Sequence, residues 1–289
     1  MIYAAVLGHP IGHSLSPALH NAAYQELGLD WRYEAIDVTP PDLAALLKER
    51  LLNSAEWAGF SVTMPLKSEI VPWLNSLTVK QSGAKVEIAT LVTATGAANT
   101  IVKQRSQTLA LLAENTDVYG IIAALREVIR HGPIEEIAIL GAGATAASAL
   151  AAAKELGANK IVIYTRESSS RQAIREVANR LGTNIIERNI TVAAKELPEF
   201  DAVISTMPKH AADNIAANLQ QQPNGALLDV VYDPSPTDIQ AAWSALGGAI
   251  VGGERMLLHQ AARQVELMTG QKPPIQAMEK ALAAALPQP

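Results

Sequence analysis

The feature that most limits what this chain can become is a glycine-rich turn, Gly141-Ala142-Gly143-Ala144-Thr145-Ala146, directly behind an apolar run at 137–140. It has the form G-x-G-x-x-A. The first glycine makes a tight turn, the second lets a pyrophosphate approach the backbone, and the small third residue lets helix pack on strand. A helix opening there offers free N–H groups and the positive end of its dipole to an anion. The spacing alone is weak, because any tight β-α turn can mimic it. Its context is stronger. Apolar runs at 160–164, 184–187, 202–205, 226–231 and 249–251 follow, most of them separated by helical patterns. That alternation predicts a doubly wound parallel sheet of Rossmann type, with a dinucleotide on its first turn.

The end of the second strand bears on which dinucleotide. It reads Tyr164-Thr165-Arg166, followed by Glu167, three serines in a ligand-loop position, and Arg171. An NAD site calls for a carboxylate on the ribose 2′-OH at this point. An NADP site calls for hydroxyl and guanidinium groups around a 2′-phosphate, which the arginine fork matches. Arg166 and Arg171 favour NADP(H). Glu167, one residue out of phase, is the group set against it.

The first half also reads as α/β. Strands are expected at 3–7, 31–38 and 58–63, and helices at 16–27 and 42–52. Residues 100–102 and 109–113 suggest a hairpin around 103–107, ahead of an amphipathic helix at 118–129. Ser16-Pro17 looks like an N-cap with proline in the first turn, and Asp117 stands where an aspartate would cap the next helix. The tail at 255–286 reads as helical again. Trp31, Trp57, Trp73 and Trp243 are expected to be packing residues.

Composition excludes several classes of function. The 289 residues are 49% hydrophobic and 18% charged, ordinary for a globular protein of one large or two smaller domains. A net charge of −5 disfavours a nucleic-acid partner. The absence of cysteine removes disulfides, thiolate nucleophiles and Cys-ligated zinc. The N-terminus lacks a signal-peptide pattern, and the Ala-rich run at 142–156 carries Lys154 and Glu155, so a buried helix suits it better than a membrane span. His9 and His13 flank a proline turn without a carboxylate cluster, which favours loop hydrogen bonding over a metal. The expectation is a cytoplasmic enzyme with a small-molecule substrate, no metal and no membrane partner, as a monomer or homodimer.

Four segments remain: Gly8-His9-Pro10-Ile11-Gly12-His13-Ser14-Leu15-Ser16-Pro17, Gly59-Phe60-Ser61-Val62-Thr63-Met64-Pro65-Leu66-Lys67, Gly96-Ala97-Ala98-Asn99-Thr100 and Glu114-Asn115-Thr116-Asp117. Each puts hydroxyl, amide or charged groups at a strand end or loop, where pockets form. Several neutral donors and acceptors suit a polyhydroxylated substrate, whose buried hydroxyls must all be paired. A lysine–aspartate pair beside a nicotinamide can move a proton to or from an alcohol oxygen while hydride moves at carbon.

In this order the segments closely resemble the shikimate dehydrogenase family, over nearly the whole chain from Leu7 to about Gly270. The resemblance implies an N-terminal α/β substrate domain at 1–116, completed by C-terminal helices at 253–289, around a Rossmann NADP domain at 117–252. It implies NADPH-dependent reduction of 3-dehydroshikimate to shikimate, with Lys67 and Asp117 as the catalytic pair. Ser14 and Ser16 would bind the substrate carboxylate, with Tyr232 close by; Thr63, Asn99 and Gln260 would bind the ring hydroxyls. Gly141, Ala142, Gly143, Ala144 and Thr145 would take the pyrophosphate, and Thr165, Arg166 and Arg171 the 2′-phosphate. Thr206, Val230 and Gly253 would line the nicotinamide half.

Five departures stand out against the family pattern. Ser61 replaces a usual asparagine, which would loosen a supporting hydrogen bond. Arg255 replaces a usual glycine, Glu167 a small polar residue, Arg171 lies one position further along than in the common spacing, and the segment at 79–89 is longer than usual. An NAD-linked quinate/shikimate dehydrogenase, an aminoshikimate-type dehydrogenase and a non-catalytic metabolite sensor on the same scaffold stay open at this point.

Overall fold

The computed structural model describes residues 1–79, 85–104, 108–166 and 168–286. Glu167, part of the long 79–89 connection, the tip of the 103–107 hairpin and the last three residues lie outside them. The chain divides into two compact units, Met1–Thr116 with Gln260–Leu286, and a second that begins at Asp117 and runs to His259.

In the first unit, β1 (Ile2–Gly8), β2 (Trp31–Asp37) and β3 (Trp57–Val62) pair in parallel, with β1 in the middle. Every residue of β3 is buried, as expected for a strand covered on both faces. The sheet then turns antiparallel through β5 (Thr100–Gln104) and β6 (Ala110–Glu114), the expected hairpin, and ends on β4 (Lys85–Ile88), in the order β2-β1-β3-β5-β6-β4.

Helix α1 is Ser16–Glu26 and α2 is Pro40–Leu47, the latter continued by a π turn at Lys48–Leu52. The expected start of α2 at 42 is two residues late, because Pro40 already fits the first turn, where a missing N–H costs nothing. Two helices were not expected, α3 (Leu66–Val79) and the short α4 (Thr90–Thr95). Pro72 inside α3 disguised it, since an internal proline normally breaks a helix. Leu66, Ile70, Leu74 and Leu77 nevertheless follow helical spacing, and all are buried in the core with Leu7, Phe60 and Ile101.

The second unit is the predicted doubly wound sheet. Its six strands are β7 (Glu136–Leu140), β8 (Lys160–Thr165), β9 (Ile186–Asn189), β10 (Ala202–Ser205), β11 (Ala226–Asp229) and β12 (Ala249–Gly252). All pair in parallel, in the order β12-β11-β10-β7-β8-β9. The strand order reverses beside β7, the place where open α/β sheets hold ligands. Strand β9 begins two residues later than expected and β11 ends two earlier, at Asp229.

Helix α5 (Thr116–Val128) leads into this unit, α6 (Ala144–Glu155) and α7 (Ser168–Leu181) follow β7 and β8, and α8 (Ala193–Glu196) and α9 (Asp213–Ala216) are single turns. The three serines after Glu167 therefore start a helix rather than lie in a loop. Helix α10 (Asp238–Ala245) carries a capping box made by Thr237 and Gln240. The C-terminal tail is two helices, α11 (Gly253–Thr269) and α12 (Ile275–Ala285), separated where Gly270 takes φ +72° and two prolines follow. The division between units falls inside α11 at Gln260, not at its first residue. Among the described residues, no helix is long and apolar enough to cross a membrane.

Candidate active site

In the second unit the glycine turn is made of backbone. Gly141 takes φ +111°, and its N–H donates to the Tyr164 carbonyl across to β8. A Cβ on Gly141 would meet Thr206 Oγ1 at 2.6 Å, and that hydroxyl donates to the Leu140 carbonyl at 2.8 Å. Thr206 thus braces the turn from β10. Gly143 is the N-cap of α6, with no side-chain capping bond and nothing within 4 Å of where its Cβ would stand. Ala144 and Thr145 are half-buried in the first turn of α6, Ala142 is half-buried beside them, and Ala146 is packed against the sheet. An uncapped helix end beside open space suits a pyrophosphate.

At the end of β8, Thr165 is buried and its hydroxyl accepts from Arg171 Nε at 3.0 Å. Arg166 is exposed in the connection to α7. Hydroxyl and guanidinium groups stand together here, which is the chemistry a 2′-phosphate needs.

At the other end of the sheet Gly253 backs onto β11. Its Cβ would stand 2.1 Å from the Val230 carbonyl oxygen, so only glycine fits. Asp229, buried just before Val230, accepts from Thr237 Oγ1 at 2.7 Å and fixes the segment that carries Val230 and Tyr232. Burial pushes the Asp229 carboxyl up, against the pull of that bond. Burial also raises the Tyr232 hydroxyl, helped by Asp233.

Ser14, Ser16, Thr63, Lys67, Asn99 and Gln260 all belong to the first unit. Neither Ser16 nor Asp117 takes the capping role expected of it. The N-cap of α1 is Leu15, not Ser16, and no side chain caps it. Ser14 Oγ instead accepts from the Ser16 N–H at 3.3 Å, a local serine turn just outside the helix. Asp117 is likewise no N-cap, since α5 begins one residue before it. The loop that carries Ser14 is anchored by Asp37, which accepts from the Ile11 N–H at 3.2 Å and pairs with His9 Nδ1 at 2.6 Å. Gly8 lets that loop approach Thr63, whose methyl would stand 2.5 Å from an added Cβ. Lys67 is the second residue of α3, and its carbonyl accepts from the Ala98 N–H at 2.8 Å, next to Asn99.

Asn99 is the centre of a buried polar cluster that sequence reasoning did not find. Its Oδ1 accepts from the Thr116 N–H at 2.7 Å, from Thr100 Oγ1 at 2.9 Å and from Thr116 Oγ1 at 3.1 Å. Its Nδ2 faces Gln260 Oε1 at 3.4 Å. Gln264, one helical turn after Gln260 and 1% exposed, donates to Thr100 Oγ1 and Thr116 Oγ1 at 3.0 and 3.2 Å. Ser61 Oγ donates to Gln264 Oε1 at 2.8 Å and accepts from the Tyr33 hydroxyl at 2.5 Å. Ser61 thus supports the cluster through Gln264. His20 stacks on Tyr33 at 3.9 Å between ring centres and donates from Nδ1 to the Ser16 carbonyl at 2.9 Å. Burial pushes its ring down to about 4, so it is neutral at ordinary pH. The signal for Gln264 was available: a second glutamine four residues after the first, on an apolar helix.

A shikimate dehydrogenase substrate-binding domain model matches residues 6–101, and a shikimate 5′-dehydrogenase C-terminal domain model matches 253–283. A curated relative, the shikimate dehydrogenase (NADP+) of Citrifermentans bemidjiense, is 34% identical over 99% of this chain and 96% of its own. The chain belongs to the shikimate dehydrogenase family. Among solved members, the Mycobacterium tuberculosis shikimate dehydrogenase superposes with a TM-score of 0.82 at 34% identity, covering 98% of this chain and 99% of that one. The Thermus thermophilus shikimate 5-dehydrogenase, solved with NADP(H) and shikimate, gives 0.79 at 28%, covering 99% and 100%. A pyridine nucleotide-disulphide oxidoreductase model also matches residues 60–208, a stretch that includes the glycine turn. With no cysteine in the chain, the disulphide half of that description has no counterpart here.

The family's usual glycine before Met256 is Arg255 in this chain. It forms a two-pronged pair with Glu127 of α5, both bonds at 2.7 Å, and His259 Nε2 joins the same carboxylate at 2.6 Å.

Proposed function

We propose that this protein catalyses the reversible NADPH-dependent reduction of 3-dehydroshikimate to shikimate. The observation that carries this is the buried amide and hydroxyl cluster around Asn99 and Gln260, in a chain that also has an uncapped glycine turn at α6. The first unit, with the C-terminal helices, binds the polyhydroxylated ring; the second binds the dinucleotide. Relatives named for NADP+, and the Thermus thermophilus enzyme solved with NADP(H) and shikimate, support the same substrate and cofactor. Thr165, Arg166 and Arg171 would hold the 2′-phosphate; Gly141, Ala142, Gly143, Ala144 and Thr145 the pyrophosphate; and Thr206, Val230 and Gly253 the nicotinamide half.

The nicotinamide supplies the hydride in one direction and accepts it in the other. The chain's own residues do the rest. Ser14, Ser16 and Tyr232 hold the substrate carboxylate. Thr63, Asn99 and Gln260 pair the ring hydroxyls and so fix which carbon is presented. Lys67, working with Asp117, gives its proton to the alcohol oxygen as the ketone is reduced and takes it back in the oxidation. Positioned acid–base help of this kind is worth about 10²–10⁴-fold. The net charge of −5 weighs against a nucleic-acid partner, and we place the enzyme in the cytoplasm as a monomer or homodimer.

The test is an initial-rate assay of shikimate oxidation with NADP and NAD in parallel and quinate as a second substrate. Turnover of shikimate with NADP is the expected result. A preference for NAD or quinate would move the assignment to the quinate/shikimate enzymes. No turnover of either acid would leave a sensor on this scaffold as the better reading.

A further inference from the structure

We infer that Gln264 is a positioning residue: through Thr100 and Thr116 it reinforces the orientation that the Thr116 N–H imposes on Asn99, so that Asn99 is held with its N–H donors toward the ligand. The inference rests on the proposed substrate role of Asn99, and it follows from which atoms can donate. A backbone N–H cannot accept, so the Asn99 atom 2.7 Å from the Thr116 nitrogen must be its oxygen. The carbonyl of Asn99 can only accept, and Gln264 points its Nε2 toward it at 3.5 Å. That contact is long, but it orients the Gln264 amide with nitrogen on the threonine side.

With one Nε2 proton given to each threonine hydroxyl, the more distant Asn99 carbonyl shares a proton with one of them, and each hydroxyl has its own proton left to give. Asn99 Oδ1 is their nearer acceptor, at 2.9 and 3.1 Å, against 3.2 Å between the two hydroxyls. Every bond then runs one way, from Tyr33 through Ser61 to Gln264, and from Gln264 through the threonines to Asn99. Such one-directional chains polarise and reinforce one another. The Asn99 oxygen carries three donors, so the side chain cannot flip without breaking all of them. Its Nδ2 edge is thereby held outward beside Gln260 Oε1. A ligand oxygen meeting that edge must act as an acceptor, and a ligand hydroxyl reaching Gln260 Oε1 must act as a donor. The pair accepts a hydroxyl or ketone oxygen at the first position and requires a hydroxyl at the second.

Gln264→Met keeps the shape of the side chain and removes its donors and acceptor. The expected outcome is a rise of about tenfold in KM for shikimate, with kcat within about threefold and the KM for NADP unchanged. The deciding comparison adds Gln264→Met to a Thr100→Val/Thr116→Val protein, where the path to Asn99 is already gone. There it should change the shikimate KM no further. A full additional tenfold loss would mean that Gln264 acts by another route, and an unchanged KM in the single variant would mean that it does not act on the substrate site; either overturns the inference. Should Gln264→Met fail to fold, Thr116→Val alone must raise the shikimate KM without moving that of NADP. Turnover by the unaltered protein settles the proposed reaction separately, so failure of the positioning idea and failure of the functional reading cannot be confused.

Discussion

The glycine turn of the second unit and the amide cluster of the first are both sites for oxygen-rich ligands, built in opposite ways. The turn is main chain: Gly141 at φ +111°, Gly143 with open space beside it, and an uncapped helix end. The cluster is side chain, with Asn99, Thr100, Thr116, Gln260 and Gln264 all buried and bonded to one another. A backbone site is spoiled by adding atoms, because its donors cannot be deleted one at a time. A side-chain site is spoiled by removing them, since each truncation leaves a buried partner unsatisfied.

The sharpest removal is at the chemistry. Lys67→Ala is expected to lower kcat by about 10²–10⁴-fold, with shikimate binding, measured by fluorescence or calorimetry, weakened far less. Near-normal kcat would take Lys67 out of the proton transfer. The matching addition is Gly141→Ala. It puts a methyl where φ favours glycine and 2.6 Å from Thr206 Oγ1, a hydroxyl already committed to the Leu140 carbonyl. The KM for NADP should rise about tenfold or more while shikimate binding is spared. If Gly141→Ala instead weakened both ligands equally, the backbone site would not be a separate structure.

The same contrast explains how much could be read in advance. The turn and the doubly wound character of the sheet are local in sequence, and glycine spacing with apolar alternation exposes them, whereas the switch beside β7 is seen only in the strand order. The first unit's strands and hairpin were legible for the same reason, whereas α3 was hidden by Pro72, tolerated because Leu66, Ile70 and Leu74 bury its other face. The cluster joins residues 33, 61, 99, 116 and 264, separated by up to 231 positions (264 minus 33). No period or spacing links them. Asn99 stands out in a strand-end segment and Gln260 through the resemblance to a family; Gln264 is signalled only by its place four residues after Gln260, and nothing in the sequence reaches the bond it makes with Ser61. Capping was misread at Ser16 and Asp117 because a cap is decided by one residue's backbone angles, which side-chain type only biases.

Arg166 tests the 2′-phosphate end of the nucleotide site, which is built from side chains rather than backbone. Arg166→Ala should cut kcat/KM for NADP by about 10–100-fold and leave that for NAD nearly unchanged. Equal losses with both cofactors would assign the arginine to the common part of the dinucleotide.

The smallest effect belongs to the Arg255–Glu127–His259 cluster, which binds the start of α11 to the end of α5 in the second unit. Burial alone would raise the Glu127 carboxyl, but hydrogen bonds from Arg255 and then His259 outweigh it and hold the group below its ordinary value near 4.5. A carboxyl depressed by folding stabilises the fold in full above its ordinary pKa, and that contribution is lost as pH falls through the lower folded value. Arg255 and Glu127 are 26% and 29% exposed, so solvent screening keeps the pair to about 1 kcal/mol. Arg255→Ala should therefore lower Tm by about 2–4 °C at pH 7, with kcat for shikimate hardly changed, and the gap should narrow as the pH is brought below 4.5. Glu127→Gln should show a similar loss at pH 7. A Tm difference that stayed constant down to acid pH would mean that Arg255 stabilises α11 by packing rather than by charge.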